Sequence, residues 1–341
     1  MALAVRTRTV PTILLTFNPA ARALYYGDKA LDGLRALGEV RLHEQEQTLG
    51  GAAFIAAAAG CQVIVSDRKT AGAAELFAAS PELAVFLRCA MDIRNVDVAA
   101  ASAAGVLVTR ASAGFGTSVA EWVLGVMIDL GRGISRSVLA YRDGEQPPVR
   151  MGRELRGSHL GIIGYGHIGR HVGALALALG MQVSYSDPMV RDDDPAVRRL
   201  PLDDLLADAD FVLCLAPATA ETENLMDATR LARMKPGAFF INASRGNLVD
   251  EAALLQALDS GHLGGCALDV GRAPDQMPTL ALARHPRVVA TPHIGGLTPA
   301  AAEHQALETV AQLAELLRGG MPAGAVNADQ ARRLVTLRRA G

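Results

Sequence analysis

The run Leu160-Gly161-Ile162-Ile163-Gly164-Tyr165-Gly166-His167-Ile168-Gly169 decides the fold. Its first four residues have the pattern of a buried strand, the glycine hexad that of a tight turn, and residues 172–180 that of a helix. In that context Gly164 permits the turn, Gly166 lets the backbone approach a pyrophosphate, and Gly169 lets the helix pack closely on the sheet. The amides at the helix start face the anion and the helix dipole adds to their field. A second strand, 182–186, leads to Asp187, about the ~20 residues on where a carboxylate meets the adenosine ribose. That carboxylate accepts from ribose hydroxyls and repels a 2′-phosphate, so NAD is expected over NADP. Arg191, close by in sequence, keeps NADP as the alternative.

The same strand–helix alternation extends in both directions. Upstream, strands are predicted at 12–17, 39–42, 62–65, 85–88 and 106–109, with helices at 29–37, 51–59, 71–79 and 97–104. A long helix, 118–141, follows and ends at loop chemistry, Asp143-Gly144 and Pro147-Pro148. Downstream, six strands are predicted at 159–163, 182–186, 211–215, 238–242, 265–270 and 287–290, as a dinucleotide-binding domain requires. Residues 299–317 read as one amphipathic helix. The basic end, 328–341 with Arg332, Arg333, Arg338 and Arg339, reads as a solvated last helix or frayed end. Alternation of this kind implies α/β architecture with two doubly wound parallel sheets. The substrate domain is expected to comprise 1–108 plus 296–341, and the nucleotide domain 109–295, with a hinge where the chain crosses.

Composition agrees. At roughly 150 residues per domain, 341 residues suggest two domains. With 50% hydrophobic and 20% charged residues the chain can fill two cores, and at 4% aromatic those cores are aliphatic. A net charge of −2 gives no electrostatic reason to expect nucleic acid or an anionic membrane as partner. The apolar stretch 172–181 is too short to span a bilayer. The first ten residues carry Arg6 and Arg8 without a long apolar run, so no signal peptide is expected and a cytoplasmic location is. Cys61, Cys89, Cys214 and Cys266 form no CxxC and no metal-ligand spacing; they are expected to be buried free thiols, with no metal site.

Three later segments fall at the ends of predicted strands, where open α/β sheets bind ligands: Asn242-Ala243-Ser244-Arg245-Gly246, Ala267-Leu268-Asp269-Val270 and Thr291-Pro292-His293-Ile294-Gly295-Gly296. Together with the glycine turn they form an ordered set. On that set the sequence resembles the D-isomer-specific 2-hydroxyacid dehydrogenases, a family that includes glyoxylate/hydroxypyruvate reductases and phosphoglycerate dehydrogenases. The resemblance covers nearly the whole chain. It implies a Rossmann NAD-binding domain, a flavodoxin-like substrate domain and a homodimer built on the nucleotide domain, with the 118–141 helix as candidate contact. It also implies an NAD-dependent oxidoreductase interconverting a D-2-hydroxy acid and its 2-oxo acid.

The resemblance assigns roles that the chemistry supports. Arg245 binds the substrate and polarises its keto oxygen, where charge develops during hydride transfer; a planar guanidinium suits both tasks. His293 is the general acid/base, a role that suits a side chain titrating near neutrality. Beyond the glycine turn with its His167-Ile168 pair, the implied cofactor contacts are Ala216, Pro217 and Thr222 after the third strand, Ala243 and Ser244 beside the arginine, Asp269, Gly295, and Val119 near the nicotinamide.

Two departures from the family pattern matter. A glutamate that pairs with the catalytic histidine usually stands five residues after the aspartate; Pro274 stands there, and Asp275, one place later, is the candidate replacement. The glycine-rich loop whose amides hold the substrate carboxylate reads Arg88-Cys89-Ala90-Met91-Asp92-Ile93-Arg94-Asn95-Val96-Asp97. Met91, Asp92 and Arg94 become candidate substrate contacts, with Arg272 a further one from the second domain. Asp92 beside a carboxylate must be neutralised or turned away. The expected substrate therefore carries an extra hydroxyl, a cation or a second anion. Rival expectations are a nucleotide-sensing protein with weak catalysis, and a formate or phosphite dehydrogenase on the same fold.

Overall fold

Short aliphatic runs bounded by Gly, Asp or Asn become strands, and every strand pair among the described residues is parallel. The computed structural model describes residues 10–190 and 194–340, without the side chains of 275 and 338–340. Strands β1 (Thr12–Leu15), β2 (Glu39–Leu42), β3 (Val63–Ser66), β4 (Val85–Arg88) and β5 (Leu107–Arg110) form a 5-stranded sheet in the order β2-β1-β3-β4-β5. Strands β6 (His159–Ile163), β7 (Gln182–Ser186), β8 (Val197–Arg199), β9 (Phe211–Cys214), β10 (Phe239–Asn242), β11 (Gly265–Leu268) and β12 (Val288–Ala290) form a 7-stranded sheet, β12-β11-β10-β9-β6-β7-β8. The first order is that of flavodoxin; the second is the Rossmann order with one strand added beyond the sixth. β8 is absent from the sequence expectation because it is three residues long and only Val197 is buried.

The chain separates into unit 1, up to Gly114 and again from Pro299, and unit 2, Phe115–Thr298. The expected cut after Val108 passes through β5. Residues just past it are bonded to unit 1: Thr109 Oγ1 donates to Gln312 Oε1 at 2.6 Å, and the Arg110 amide to the Gly324 carbonyl at 3.0 Å. The helix Pro299–Leu317 completes unit 1 by burying Ala306, Leu313 and Leu316 against Ile13, Leu15, Leu34 and Val63. The final helix, Leu334–Ala340, adds Leu334 and Leu337 to the same core. Two arginines of the basic end are not simply solvated. Arg333 donates to the carbonyls of Ser80 and Leu83 at 2.8 and 3.2 Å, and Arg332 to that of Ala103 at 2.8 Å.

In unit 2 the expected long helix is two, Gly116–Arg132 and Ile134–Arg142. Gly133 adopts φ 66°, a left-handed conformation that stops the first helix, and the Asp129 carboxylate accepts from the Ser135 amide at 2.7 Å to start the second. The four cysteines are free and buried, and burial pushes the Cys89 and Cys214 thiols up to about 12, far from reactive thiolates. No helix among the described residues is long and apolar enough to cross a membrane.

If the C-terminal helix is part of the unit 1 core, Leu313→Ala should cost about 2–5 kcal/mol in denaturant unfolding. A loss below about 0.5 kcal/mol, the range of surface substitutions, would mean that the helix only lies on the outside.

Candidate active site

Parallel strands deliver their C-terminal ends to one edge of each sheet, and the chemistry-bearing residues of unit 2 gather there. At the end of β6, Gly164 adopts φ 88°, and a Cβ on it would lie 2.7 Å from the Ala216 amide nitrogen. A Cβ on Gly169 would lie 2.8 Å from the Gly164 carbonyl oxygen, whereas Gly166 faces open space. The helix His167–Ala178 starts at Gly166 with no side-chain cap, so its first-turn amides are available to an anion. This cradle fits a dinucleotide pyrophosphate. His167 is exposed, and Ile168 packs partly against the unit 2 core.

Asp187 holds the turn as well as following it. Its carboxylate accepts from the Tyr165 amide at 2.8 Å and from the Met189 and Val190 amides at 2.8 and 2.9 Å. Burial acts to raise its pKa, but these amides and the charge of Arg199 outweigh that and hold it below the ordinary carboxylate value. Arg199, on β8, donates to the Asp187 carbonyl at 2.8 Å. It is a cation beside the Asp187 carboxylate that the sequence does not reveal, because it comes from the unrecognised strand. Arg191 lies outside the described residues.

The loop after β9 closes on itself: Thr222 Oγ1 donates to the Pro217 carbonyl and accepts from the Thr219 amide, at 2.7 and 2.8 Å. Ala216 is buried and Pro217 exposed. Ser244 Oγ donates to the Ala216 carbonyl at 2.6 Å, tying this loop to the end of β10. There the buried Asn242 shapes the turn that carries Ala243, Ser244 and Arg245. Its Nδ2 donates to the Arg245 carbonyl at 2.9 Å, and its Oδ1 accepts from the Ser244 amide at 3.1 Å. The Arg245 guanidinium, half-buried, donates to the Ser244 carbonyl at 2.7 Å. Val119, expected near the nicotinamide, is packed in the unit 2 core.

One strand further, Asp269 is 4% exposed and binds the segment after β12. Its Oδ1 accepts from Thr291 Oγ1 at 2.6 Å and the Ile294 amide at 2.8 Å, and its Oδ2 from the Gly295 amide at 2.7 Å. His293 lies inside that tied segment with φ 57°, an uncommon conformation for a residue with a side chain. Three bonds to one carboxylate offset this strain. The segment of Pro274 and Asp275 forms a short 3-10 turn, Pro274–Gln276; the Asp275 side chain lies outside the described residues.

Arg272 is engaged within unit 2. It donates to Glu223 Oε1 at 2.8 Å, Asn224 Oδ1 at 2.6 Å and the Asn247 carbonyl at 3.0 Å, tying two loops together. In unit 1, Asp92 and Arg94 pair with each other, with Arg94 Nη2 2.7 Å from Asp92 Oδ2 and the Arg94 amide donating to Oδ1 at 3.0 Å. Arg94 holds the Asp92 carboxyl far below its ordinary range. Met91 beside them is exposed.

Residues 124–295, half of the chain, match the model of the D-isomer specific 2-hydroxyacid dehydrogenase NAD-binding domain. The chain belongs to the D-isomer specific 2-hydroxyacid dehydrogenase family. It is 37% identical over 252 residues to an (S)-sulfolactate dehydrogenase of Chromohalobacter salexigens, covering 72% of this chain and 82% of that one. It is 34% identical over 290 residues to the D-3-phosphoglycerate dehydrogenase of Rattus norvegicus, covering 84% of this chain and 54% of the relative. The chain thus spans about half the length of such phosphoglycerate dehydrogenases. Among solved structures, the TT0316 protein from Thermus thermophilus superposes with a TM-score of 0.79 at 32% identity, covering 92% of this chain and 99% of that one. The two-sheet fold is that of this dehydrogenase family.

Asp269 gives the sharpest local test. Asp269→Asn replaces one acceptor oxygen with a donor and should destabilise unit 2 by about 1–3 kcal/mol. Amide hydrogen exchange at Ile294 and Gly295 should rise with it. Unchanged exchange at those two amides would mean the histidine segment is held by something else.

Proposed function

We propose that this family member reduces a 2-oxo acid to the D-2-hydroxy acid, and catalyses the reverse, with a nicotinamide cofactor. One observation carries the proposal: the adjacent strands β10, β11 and β12 end in Arg245, Asp269 and the His293 segment, two reactive side chains and the carboxylate that orders one of them. When bound, the cofactor supplies or accepts the hydride. Arg245 engages the substrate carboxylate and stabilises the negative charge that grows on the keto oxygen. His293 delivers a proton to that oxygen during reduction and removes it during oxidation. Gly164, Gly166 and Gly169, with the amides of His167 and Ile168, receive the pyrophosphate. Asp187 takes the ribose hydroxyls. Ala216, Pro217, Thr222, Ala243, Ser244, Asp269 and Gly295 line the remainder. Asp187 favours NAD; Arg199 is the residue through which NADP would be accommodated.

In unit 1 the loop after β4 receives the substrate carboxylate. The amides of Ala90, Met91 and Asp92 have no acceptor among the described residues, and in this reading they serve together as the nest for the substrate carboxylate. The Arg94 pairing removes the repulsion Asp92 would otherwise exert. Met91 and the Arg94 donors that Asp92 does not take then meet the remainder of the substrate, which favours a 2-oxo acid with a second hydrogen-bonding group, anionic or hydroxyl, over glyoxylate or pyruvate. The names of the sulfolactate and phosphoglycerate dehydrogenase relatives point the same way. Arg272 serves as a tie between loops.

The nucleotide unit also carries the contact of a homodimer. The helix Ile134–Arg142 buries none of its residues, and Ile134, Val138, Leu139 (57%) and Tyr141 (66%) are exposed on it. An apolar set of that size fits a second copy of this chain. Leu139→Lys combined with Tyr141→Lys should halve the mass in analytical ultracentrifugation. A wild-type monomer would contradict the assignment.

The activity is tested by NADH and NADPH oxidation with glyoxylate, pyruvate, hydroxypyruvate, 3-sulfopyruvate and 3-phosphohydroxypyruvate, and by NAD reduction with formate and phosphite. Turnover of a 2-oxo acid is expected. Arg245→Ala should abolish it with NADH binding intact, and His293→Ala should reduce kcat by about 10²–10⁴. Tight NADH binding without turnover of any compound would favour a nucleotide sensor, and loss of NADH binding in Arg245→Ala would overturn that residue's role.

A further inference from the structure

Arg88, the last residue of β4, is 1% exposed, and among the described residues no carboxylate oxygen bonds to it. An arginine in the interior of a domain is costly unless its donors find oxygens. Here the oxygens come from two loops. From the last residue of β3 and the loop after it, Ser66 Oγ accepts at 3.0 Å and the Thr70 carbonyl at 2.8 Å, joined by the carbonyls of Asp67 and Arg68. From the loop after β4, Asn95 Oδ1 accepts at 2.5 Å and the Asp92 carbonyl accepts from Nε at 3.2 Å. Burial pushes the guanidinium pKa down, and the Asp67 and Asp92 charges oppose that.

The first loop is shaped to aim its carbonyls inward. Asp67 Oδ1 accepts from the Lys69 and Thr70 amides at 2.7 and 3.1 Å, and Oδ2 from Thr16 Oγ1 at 2.6 Å. That turn directs the backbone oxygens of 67, 68 and 70 at one point. The second loop spans Cys89 to Asn95 and holds Ala90, Met91 and Asp92 ahead of or between its attachments to Arg88. Its backbone bonds cluster at its ends. At the start the Cys89 amide donates to the Ser66 carbonyl and the Ala90 carbonyl accepts from the Ala111 amide. At the far end the Val96 amide donates to the Ile93 carbonyl and the Asn95 carbonyl accepts from the Gly72 amide. Between those points the Arg88 bond to the Asp92 carbonyl ties the backbone to the interior.

We propose that Arg88 is a positioning residue for the substrate: its buried guanidinium clamps the loop after β4 to the loop after β3 and so fixes the amides of Ala90, Met91 and Asp92. The proposal rests on the reading of those amides as the carboxylate nest. A lysine cannot replace the clamp, because its three donors radiate from one nitrogen and cannot span six oxygens on two loops. The positive charge, compensated by carbonyl dipoles rather than a bonded carboxylate, also adds to the attraction that the nest exerts on an anion.

The test is Arg88→Lys, read three ways. Hydrogen exchange should rise in 66–70 and 89–95 while β1 and β3 stay protected. The KM for the 2-oxo acid of the panel that the wild type turns over best should rise about ten- to a hundredfold, with a smaller fall in kcat, as loss of charged hydrogen bonds implies. The NADH dissociation constant should be unchanged, since the glycine turn belongs to unit 2. A folded Arg88→Lys protein with wild-type KM, or with NADH affinity lost in parallel, would overturn the proposal. Should that variant not unfold cooperatively, Asn95→Ala keeps the cation, removes one attachment and should raise KM in the same direction; an unchanged KM there would equally overturn it. A wild-type protein inert toward every 2-oxo acid would refute the nest and with it the positioning role, while loop exchange would still decide whether the clamp exists.

Discussion

The carboxylate of Asp269 is the constraint on which the unit 2 site depends. It is buried, and it satisfies two backbone amides and a hydroxyl of the segment that follows the neighbouring strand. Those bonds bracket His293 and hold its left-handed backbone. A buried carboxylate is stable only with such donors, and a strained histidine only with such an anchor. Each thus accounts for the other. The same economy recurs at Asp187, whose oxygens hold the glycine turn, and at Asn242, which shapes the turn carrying Arg245.

Unit 1 solves the same problem with the opposite charge. There a buried cation, Arg88, gathers carbonyl oxygens from two loops. In both units, parallel strands bring the loops to one edge, but a single buried ionic side chain sets their shape. Under the proposed function, substrate contacts on such loops are only as well placed as the ion beneath them. This explains how a family loop normally rich in glycine can tolerate Ala90 and Asp92: Asp92 is neutralised by Arg94, and the backbone path is fixed from below.

Much of this is legible in the sequence. The glycine hexad, the alternation of strands and helices, and the strand-end positions of Arg245, Asp269 and His293 depend on local pattern, which sequence preserves. What escapes depends on partners distant in sequence. In the sequence Arg88 is only the polar end of a strand, because its acceptors are mostly backbone oxygens, which no residue type announces. β8 escapes because an edge strand of Val-Arg-Arg has no apolar periodicity, and Arg199 escapes with it. Gly133 is visible, yet one glycine in a helical pattern does not reveal that it will take φ 66°. Arg272 reads only as a substrate contact in the sequence because the acceptors it bonds, on 223–224 and 247–249, are distant from it along the chain.

The central claim is that this constellation moves a hydride between a nicotinamide and the C2 carbon of a 2-oxo acid. Isotope transfer tests it most directly. With NADH deuterated at both C4 positions and the best 2-oxo acid as acceptor, deuterium should appear at C2 of the product, and the product should be the D isomer. An L product, or a D product without deuterium at C2, would contradict the account.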